Sequence, residues 1–165
     1  MHVFADKENM PPISEEMFNV VRVFLPKGKT LLELGSGSTT AEFAKYYNVI
    51  SVEHNPEFIG KFNKRENYIL STNIKNSFYE PSELKANLPV DYDALLVDGP
   101  DTDFRMDGFL ECLDLFKKDV PWFLDDLSLG STGAGIRKLP ELTGRQLIQF
   151  VNGAKKFAVL LGDGK

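Results

Sequence analysis

Cysteine is almost absent from this chain of 165 residues, and the single one, Cys112, lies in an apolar helical pattern. One thiol excludes an internal disulfide and any zinc site built from several cysteines. Long apolar stretches are missing as well, because no run approaches the roughly 20 residues that a membrane helix needs. We therefore expect a soluble domain that does not bind a membrane.

Basic residues are outnumbered, with 19 Lys and Arg against 24 Asp and Glu and a formal net charge of -5. Nonspecific nucleic-acid binding depends mainly on Lys and Arg contacts to phosphates, so this balance argues against a nucleic-acid partner. Asp6, Lys7 and Glu8 interrupt the only N-terminal segment that could begin a secretory signal. The sequence therefore predicts a cytoplasmic location.

The apolar pattern predicts one α/β domain. We expect a mobile tail over residues 1–10 and a single domain over residues 11–165. Ser14 is a suitable N-cap for an amphipathic helix that Pro26 stops. From Leu31 onward, helical patterns alternate with nearly continuous apolar strands, which is typical of a parallel sheet with helices on both faces. The expected fold is a doubly wound, mostly parallel sheet in three α/β/α layers.

A glycine-containing turn follows the first of these strands, in the segment Leu31-Leu32-Glu33-Leu34-Gly35-Ser36-Gly37-Ser38-Thr39-Thr40. Gly35 and Gly37 lack a Cβ, so the turn can be tight and a ligand can approach the backbone, with free N–H groups at the next helix start facing the same crevice. The second strand ends at Glu53, 18 positions after Gly35. That spacing is typical of a carboxylate that binds a ribose, so the two features together predict a nucleoside cofactor site.

This pattern resembles the class I S-adenosylmethionine-dependent methyltransferases, in which an acidic-x-Gly-x-Gly motif ends the first strand and an acidic residue ends the second. Glu33, Gly35, Gly37 and Glu53 match those positions. The resemblance implies a Rossmann-like fold, S-adenosylmethionine as the cofactor and methyl transfer as the activity. It implies a set of cofactor-binding residues: Glu33, Gly35, Ser36, Gly37, Thr39, Glu53 and His54.

Two alternatives stay open at this cofactor site. A nicotinamide-binding Rossmann domain is the competing fold, although it calls for Gly or Ala where this chain has Thr40. His54 is the second open point, because an isolated histidine is more often a hydrogen-bonded structural residue than a ligand contact.

Three aspartates follow the fourth and fifth strands. Asp98 ends one strand, and Asp125 and Asp126 end the next. Neighbouring strands lie about 4.8 Å apart, so these carboxylates could share a cation, and oxygen ligands suit Mg²⁺, Mn²⁺ or Ca²⁺. The arrangement resembles metal-dependent O-methyltransferases of the catechol and macrolide-sugar types, which implies that Asp98, Asp125 and Asp126 hold a divalent ion that lowers the pKa of an acceptor hydroxyl.

The catechol enzymes carry a lysine base three residues after the strand-four aspartate, where this chain has Asp101. Asp98 is therefore also a candidate catalytic base that accepts the acceptor proton directly, without a metal. In a third interpretation, Asp125 or Asp126 only caps the next segment. The loop after Asp98 supplies candidate acceptor contacts, or else a solvated acidic surface: Asp101, Asp103, Arg105 and Asp107.

Near the C-terminal end, the segment Gly130–Gly135 resembles a flexible lid, with Arg137 and Lys138 as contacts to an anionic acceptor. Residues 141–152 predict a last helix and residues 157–161 a last strand, which leaves the sheet one strand short of the family pattern. An unpaired sheet edge would also favour a homodimer. Two functions follow: O-methylation of a small hydroxylated acceptor, or a noncatalytic module that binds a nucleoside or a partner on a degenerate fold.

Overall fold

A computed structural model describes residues 13–101, 103–153 and 155–163 of the chain. The tail expected over residues 1–10 lies outside this described part. The helices, numbered in chain order, are α1 (Glu15–Phe24), α2 (Ser38–Phe43), α3 (Pro81–Asn87), α4 (Arg105–Glu111) and α5 (Gly130–Thr143). The strands are β1 (Thr30–Leu34), β2 (Asn48–Glu53), β3 (Tyr68–Leu70), β4 (Ile74–Lys75), β5 (Phe78–Tyr79), β6 (Ala94–Val97), β7 (Trp122–Leu124), β8 (Leu147–Phe150) and β9 (Phe157–Leu160).

Seven of these strands form one sheet in the order β3-β2-β1-β6-β7-β9-β8, and β4 pairs with β5 in a separate hairpin. The strands β3, β2, β1, β6 and β7 are parallel to one another, whereas β9 is antiparallel to both β7 and β8. The doubly wound, mostly parallel α/β fold expected from the sequence is confirmed. The strand order reverses between β1 and β6, the place where open α/β sheets bind ligands.

Both faces of the sheet are buried, which explains the continuous apolar strands. Successive residues of a strand point to opposite faces. In β1, Leu31 joins the core on the α1 side, while Leu32 joins the core that contains Trp122. In β7, Phe123 joins the core on the α1 side, and Trp122 joins the core on the opposite face. Because both faces of such a strand are buried, its residues must be apolar at nearly every position.

The first helix begins and ends where the sequence signals predict. The Ser14 side chain accepts a hydrogen bond from the Met17 amide at 3.1 Å, as an N-cap does. The helix ends at Phe24, two residues before Pro26. Its inner face buries Met17 and Val21 completely against the sheet.

The sequence-based prediction for residues 141–152 is wrong, because a helix ends there and a strand begins. Gly144 has φ of 72°, a left-handed conformation that stops α5 after Thr143. Leu147–Phe150 is then β8, the edge partner of β9. The sheet is therefore not one strand short, and the expectation of a shortened sheet is corrected.

The lid expected over Gly130–Gly135 is also wrong, since this segment is the start of α5. Its glycines allow close packing: a Cβ at Gly135 would lie 2.5 Å from the Met106 Cβ on α4, and one at Gly133 would lie 2.1 Å from the Leu127 carbonyl oxygen. After β2 the chain makes a short turn, Pro56–Phe58, which the Asn55 side chain caps by accepting a hydrogen bond from the Glu57 amide.

Within the described ranges, none of the helices combines the length and the apolar character needed to cross a membrane.

Candidate active site

The carboxyl ends of β1, β2 and β6 surround a cavity of about 250 Å³. Four of the residues that the sequence assigns to the cofactor line it, namely Gly35, Ser36, Glu53 and His54, and Asp98 lines it from the end of β6. The other three, Glu33, Gly37 and Thr39, lie beside the cavity in β1 and at the start of α2 and do not form its wall.

The two glycines of the turn after β1 have different roles. Gly35 has φ of 89°, which favours glycine, and a Cβ there would lie 2.8 Å from the Gly99 Cα in the loop after β6. Gly37 has φ of -166°, an extended conformation open to any residue, and a Cβ there would meet nothing within 4 Å. Gly35 therefore lets two loops touch, while Gly37 is not required by the backbone, contrary to the sequence argument.

Glu53 ties three backbone amides together at the end of β2. Its Oε2 accepts a hydrogen bond from the Ser36 amide at 2.9 Å, and its Oε1 accepts from the His54 and Asn55 amides at 2.8 Å each. The residue is 2% exposed. A carboxylate has about four acceptor positions, so roughly one remains for a ligand.

Two backbone amides in the turn before α2 donate hydrogen bonds to side chains. The Ser36 amide is held by Glu53, and the Gly37 amide donates to Thr40 Oγ1 at 2.9 Å. Thr40 in turn donates its hydroxyl to Glu33 Oε2 at 2.9 Å. The turn after β1 is thus fixed by side chains of this chain.

Glu33 is a buried carboxyl group below the turn. Its Oε2 also accepts a hydrogen bond from the Ser51 hydroxyl at 2.7 Å. Burial raises the pKa of Glu33 to about 8, against the lowering effect of its bonds to Ser51 and Thr40. The charges of Asp98 and Glu53 add to the increase. Glu33 is therefore largely a neutral acid near pH 7.

Asp98, Asp125 and Asp126 come together beside the cavity, as the neighbouring positions of β6 and β7 require. One carboxylate oxygen from each lies within 4.8 Å of the others. Asp125 is 1% exposed, and Asp126 has φ of 61°. Burial, and next the Asp125 charge, raise the pKa of Asp98 to about 7.

Two cationic side chains hold this carboxylate cluster. Arg105 Nη2 lies 2.7 Å from Asp126 Oδ2, and Lys155 Nζ lies 3.1 Å from Asp125 Oδ2. Both cations counteract the increase in the pKa of Asp98. Arg105, which the sequence analysis placed in an acidic acceptor loop, is in fact 3% exposed and faces the cluster.

Two buried polar atoms of the cluster and its cations lack a hydrogen-bond partner among the residues that the structure describes, namely Asp125 Oδ1 and Arg105 Nε. A buried oxygen without a donor costs about 1–3 kcal/mol, so a water, a ligand or an ion beside this atom would stabilise it. Three carboxylates with a spare buried oxygen fit a hard divalent cation.

The remaining acceptor candidates are dispersed. Asp101 lines the cavity, whereas Asp103 and Asp107 are exposed to solvent. Arg137 and Lys138 are exposed on α5 and do not belong to a lid. Their predicted contact to an anionic acceptor stays a prediction.

Comparison with protein-family models and with curated proteins gives no match. Solved structures do match. Precorrin 8W decarboxylase from Methanobacterium thermoautotrophicum superposes with a TM-score of 0.59 at 16% identity, over 92% of each chain. An rRNA methylase from Streptococcus thermophilus gives 0.58 at 16% identity, over 96% of this chain and 100% of that one. Aeropyrum pernix fibrillarin with natively bound S-adenosyl-L-methionine gives 0.56 at 17% identity, over 83% of this chain and 69% of that one. The chain has the class I methyltransferase fold.

Within this methyltransferase fold, sequence reasoning missed residues that shape the site. Lys155 gave no signal, because it lies in the loop between β8 and β9, 30 positions from the carboxylate that it binds. Ser51 and Thr40 were not recognised as partners of Glu33. The alternation of β2 could have revealed Ser51, since a lone serine among Val and Ile residues of a buried strand needs a polar neighbour.

Proposed function

We propose that the protein is an S-adenosylmethionine-dependent methyltransferase that methylates a hydroxyl group of a small acceptor, with a divalent ion bound at Asp98, Asp125 and Asp126. One observation carries the proposal: Asp98 both lines the cavity beside Glu53 and belongs to the carboxylate cluster. A cofactor held at Glu53 and an acceptor held at the cluster would therefore meet at Asp98.

The cofactor half rests on the cavity and on the fold. Glu53 would bind the ribose, Gly35 and Ser36 would lie against the cofactor, and His54 would contact it from the end of β2. The sulfonium of the bound cofactor supplies the methyl group. Glu53 has about one free acceptor position, so holding both ribose hydroxyls requires it to release one of its three amide hydrogen bonds.

The acceptor half rests on the aspartates. A divalent ion, when bound there, lowers the pKa of the acceptor hydroxyl and fixes its oxygen in line with the methyl group. Asp98 has the shortest path to the cofactor, since it alone of the three lines the cavity. It orients the acceptor oxygen in the metal-assisted reaction and accepts the proton in a metal-free one.

A small acceptor is supported by the charge of the chain and by the size of the site. The formal net charge is -5, and Asp101 is one of the negative residues that line the cavity of about 250 Å³. Phosphate-rich acceptors are repelled by such a surface. The rRNA methylase among the similar structures acts on RNA, so RNA serves below as a competing acceptor.

The structure removes the main reason for the alternative hypothesis of a noncatalytic binding module. That alternative was based on an incomplete sheet, and β8 with β9 completes the sheet.

The first experiment is thermal unfolding of the protein with S-adenosylmethionine, S-adenosylhomocysteine or NAD, each with Mg²⁺ or with chelator. A ligand at 100 times its dissociation constant stabilises by about 2.7 kcal/mol. We expect increased melting temperatures with the two sulfur nucleosides and none with NAD, and a further increase with Mg²⁺. Stabilisation by NAD alone, or by no ligand, would contradict the proposed cofactor.

The acceptor class is tested by transfer of a labelled methyl group from S-adenosylmethionine. A mixture of catechols, sugars and other small hydroxylated compounds is compared with total RNA and with protein. Label in the small-molecule fraction supports the proposal, with Asp98→Asn as the inactive control. Label only in RNA or protein would show that the acceptor assignment is wrong.

A further inference from the structure

The carboxylate cluster contains its own positive charges. Three carboxylates carry three negative charges when ionised, and Arg105 and Lys155 together carry two positive charges. These two positive charges equal the charge of one divalent ion. With an ion and both side chains present, the buried site would hold one excess positive charge, and it becomes neutral when one side chain leaves. Uncompensated charge in a buried site is costly, so charge balance favours an exchange.

Arg105 is the cation that stays. It lies in the first turn of α4, its side chain is 4% exposed, and its contact to Asp126 is 2.7 Å long. A guanidinium is planar and weakly hydrated, which suits a permanent buried partner of a carboxylate.

Lys155 is the cation that can leave. It comes from a loop and not from a helix, its side chain is 25% exposed, and its ammonium nitrogen lies 3.1 Å from one oxygen of Asp125. The ammonium is compact and strongly hydrated, and its four-carbon stem is flexible, so it can return to water. The other oxygen of Asp125, Oδ1, is one of the buried atoms that lack a hydrogen-bond partner in the described part of the chain.

We propose that Lys155 is a built-in counter-cation that neutralises Asp125 in the metal-free protein and gives up this place when a divalent ion binds. The inference rests on the metal site of the proposed function. Lys155 is a positioning residue here: it keeps the Asp125 carboxylate in place and lowers the affinity of the cluster for metal. The buried Asp125 carboxylate is then neutralised before an ion binds.

The first test follows the exposure of the Lys155 amine in the unmodified protein. Lysines are acetylated briefly with an amine-directed reagent, with Mg²⁺ or with chelator, and the modified sites are quantified by mass spectrometry. We expect several-fold faster modification of Lys155 when Mg²⁺ is present. Lys118, which pairs with Asp114 on the surface, is the internal control and should not change. Unchanged or slower modification of Lys155 with Mg²⁺ would overturn the inference.

The second test measures Mn²⁺ affinity, from the electron paramagnetic resonance signal of the free ion. Lys155→Met removes the charge and keeps the apolar stem, and loss of a competing contact worth about 1.4 kcal/mol corresponds to about tenfold tighter binding. Lys155→Arg keeps the charge, and because a guanidinium suits a buried carboxylate better than an ammonium does, this variant should bind Mn²⁺ no more tightly than the unmodified protein. Lys118→Met is the matched surface control and should bind as the unmodified protein does. Adding Asp125→Asn to Lys155→Met should abolish the gain.

Equal or weaker Mn²⁺ binding by folded Lys155→Met would overturn the inference. Failure of the proposed function gives a different result. If S-adenosylhomocysteine stabilises the protein but no variant binds Mn²⁺, the inference and the metal site are wrong and the cofactor assignment stands. If Mn²⁺ displaces Lys155 and no sulfur nucleoside stabilises the protein, the inference stands and the cofactor assignment is wrong.

Discussion

Glu53 joins the turn after β1 to the turn after β2 by accepting three backbone hydrogen bonds. Two of these come from its own strand end and one from Ser36 across the cavity. A side chain in this position stabilises the two turns that border the cavity. Asp98 differs, because its carboxyl group belongs to the carboxylate cluster with Asp125 and Asp126.

Glu53→Gln and Asp98→Asn should therefore separate cofactor binding from catalysis. Glu53→Gln places an amide group against backbone N–H donors, and loss of a charged hydrogen bond costs about 1.5–3 kcal/mol, so we expect at least about tenfold weaker binding of S-adenosylhomocysteine. Asp98→Asn should keep that affinity within about twofold, a change of about 0.4 kcal/mol, and abolish methyl transfer. Calorimetric titration of both variants checks this. The opposite pattern would show that the assignment of roles is wrong.

Between elements, the contact of Gly35 with Gly99 determines how closely the loops after β1 and β6 approach. The Gly35 amide donates to the Val52 carbonyl at 2.9 Å, and the Gly99 amide donates to the Leu34 carbonyl. Tyr79 supports the contact from below, since a Cβ at Gly99 would lie 3.0 Å from its hydroxyl. The floor of the cavity is thus made of backbone.

Gly35→Ala and Gly37→Ala should differ strongly in stability. A left-handed residue with a Cβ costs about 1–2 kcal/mol, and at Gly35 the overlap with Gly99 adds to this, so we expect a loss of at least about 2 kcal/mol. Gly37→Ala meets open space and should change the free energy of unfolding by less than about 0.5 kcal/mol. Urea unfolding of the pair measures the difference. Equal losses would contradict the different roles of the two glycines.

The elements also show what the sequence could predict. Apolar runs and glycine turns were sufficient for β1, β2, β6 and β7, because these strands are buried on both faces and their signal is local. The strand β8 was mistaken for a helix, since an edge strand is partly exposed and carries no continuous apolar run. At the site, the aspartates were identified because they follow strands. Lys155 was not, because its contact to Asp125 depends on the path of a distant loop.

For the whole molecule, one edge of the sheet concentrates buried acid groups. Glu33, Glu53, Asp98 and Asp125 are all buried or nearly so at the carboxyl ends of four adjacent strands. Burial raises the pKa of Glu33 to about 8 from an ordinary 4.5. Between these two values the unfolded chain loses a proton that the folded protein keeps, so the stability of the fold should decrease as the pH rises across this window.

Glu33→Gln should make this decrease smaller. The slope due to one such group is about 1.4 kcal/mol per pH unit at most, and the amide oxygen of Gln can still accept from Ser51 and Thr40. We expect the variant to gain stability relative to the unmodified protein as the pH increases from 5 to 8, a range that covers most of the window between the two pKa values. Urea unfolding at several pH values, with Glu141→Gln at an exposed position of α5 as a surface control, checks this. Parallel pH profiles for Glu33→Gln and the unmodified protein would show that Glu33 ionises normally.

The antiparallel strand β9 has a consequence for how the protein is made on the ribosome. It is the last strand in chain order, yet it lies inside the sheet, between β7 and β8. Until residues 157–160 leave the exit tunnel, the nascent chain exposes the backbone edge of β7 to neighbouring chains, and such an edge is prone to pairing with the wrong strand. Synthesis of residues 157–160 therefore both completes the sheet and covers the backbone edge of β7.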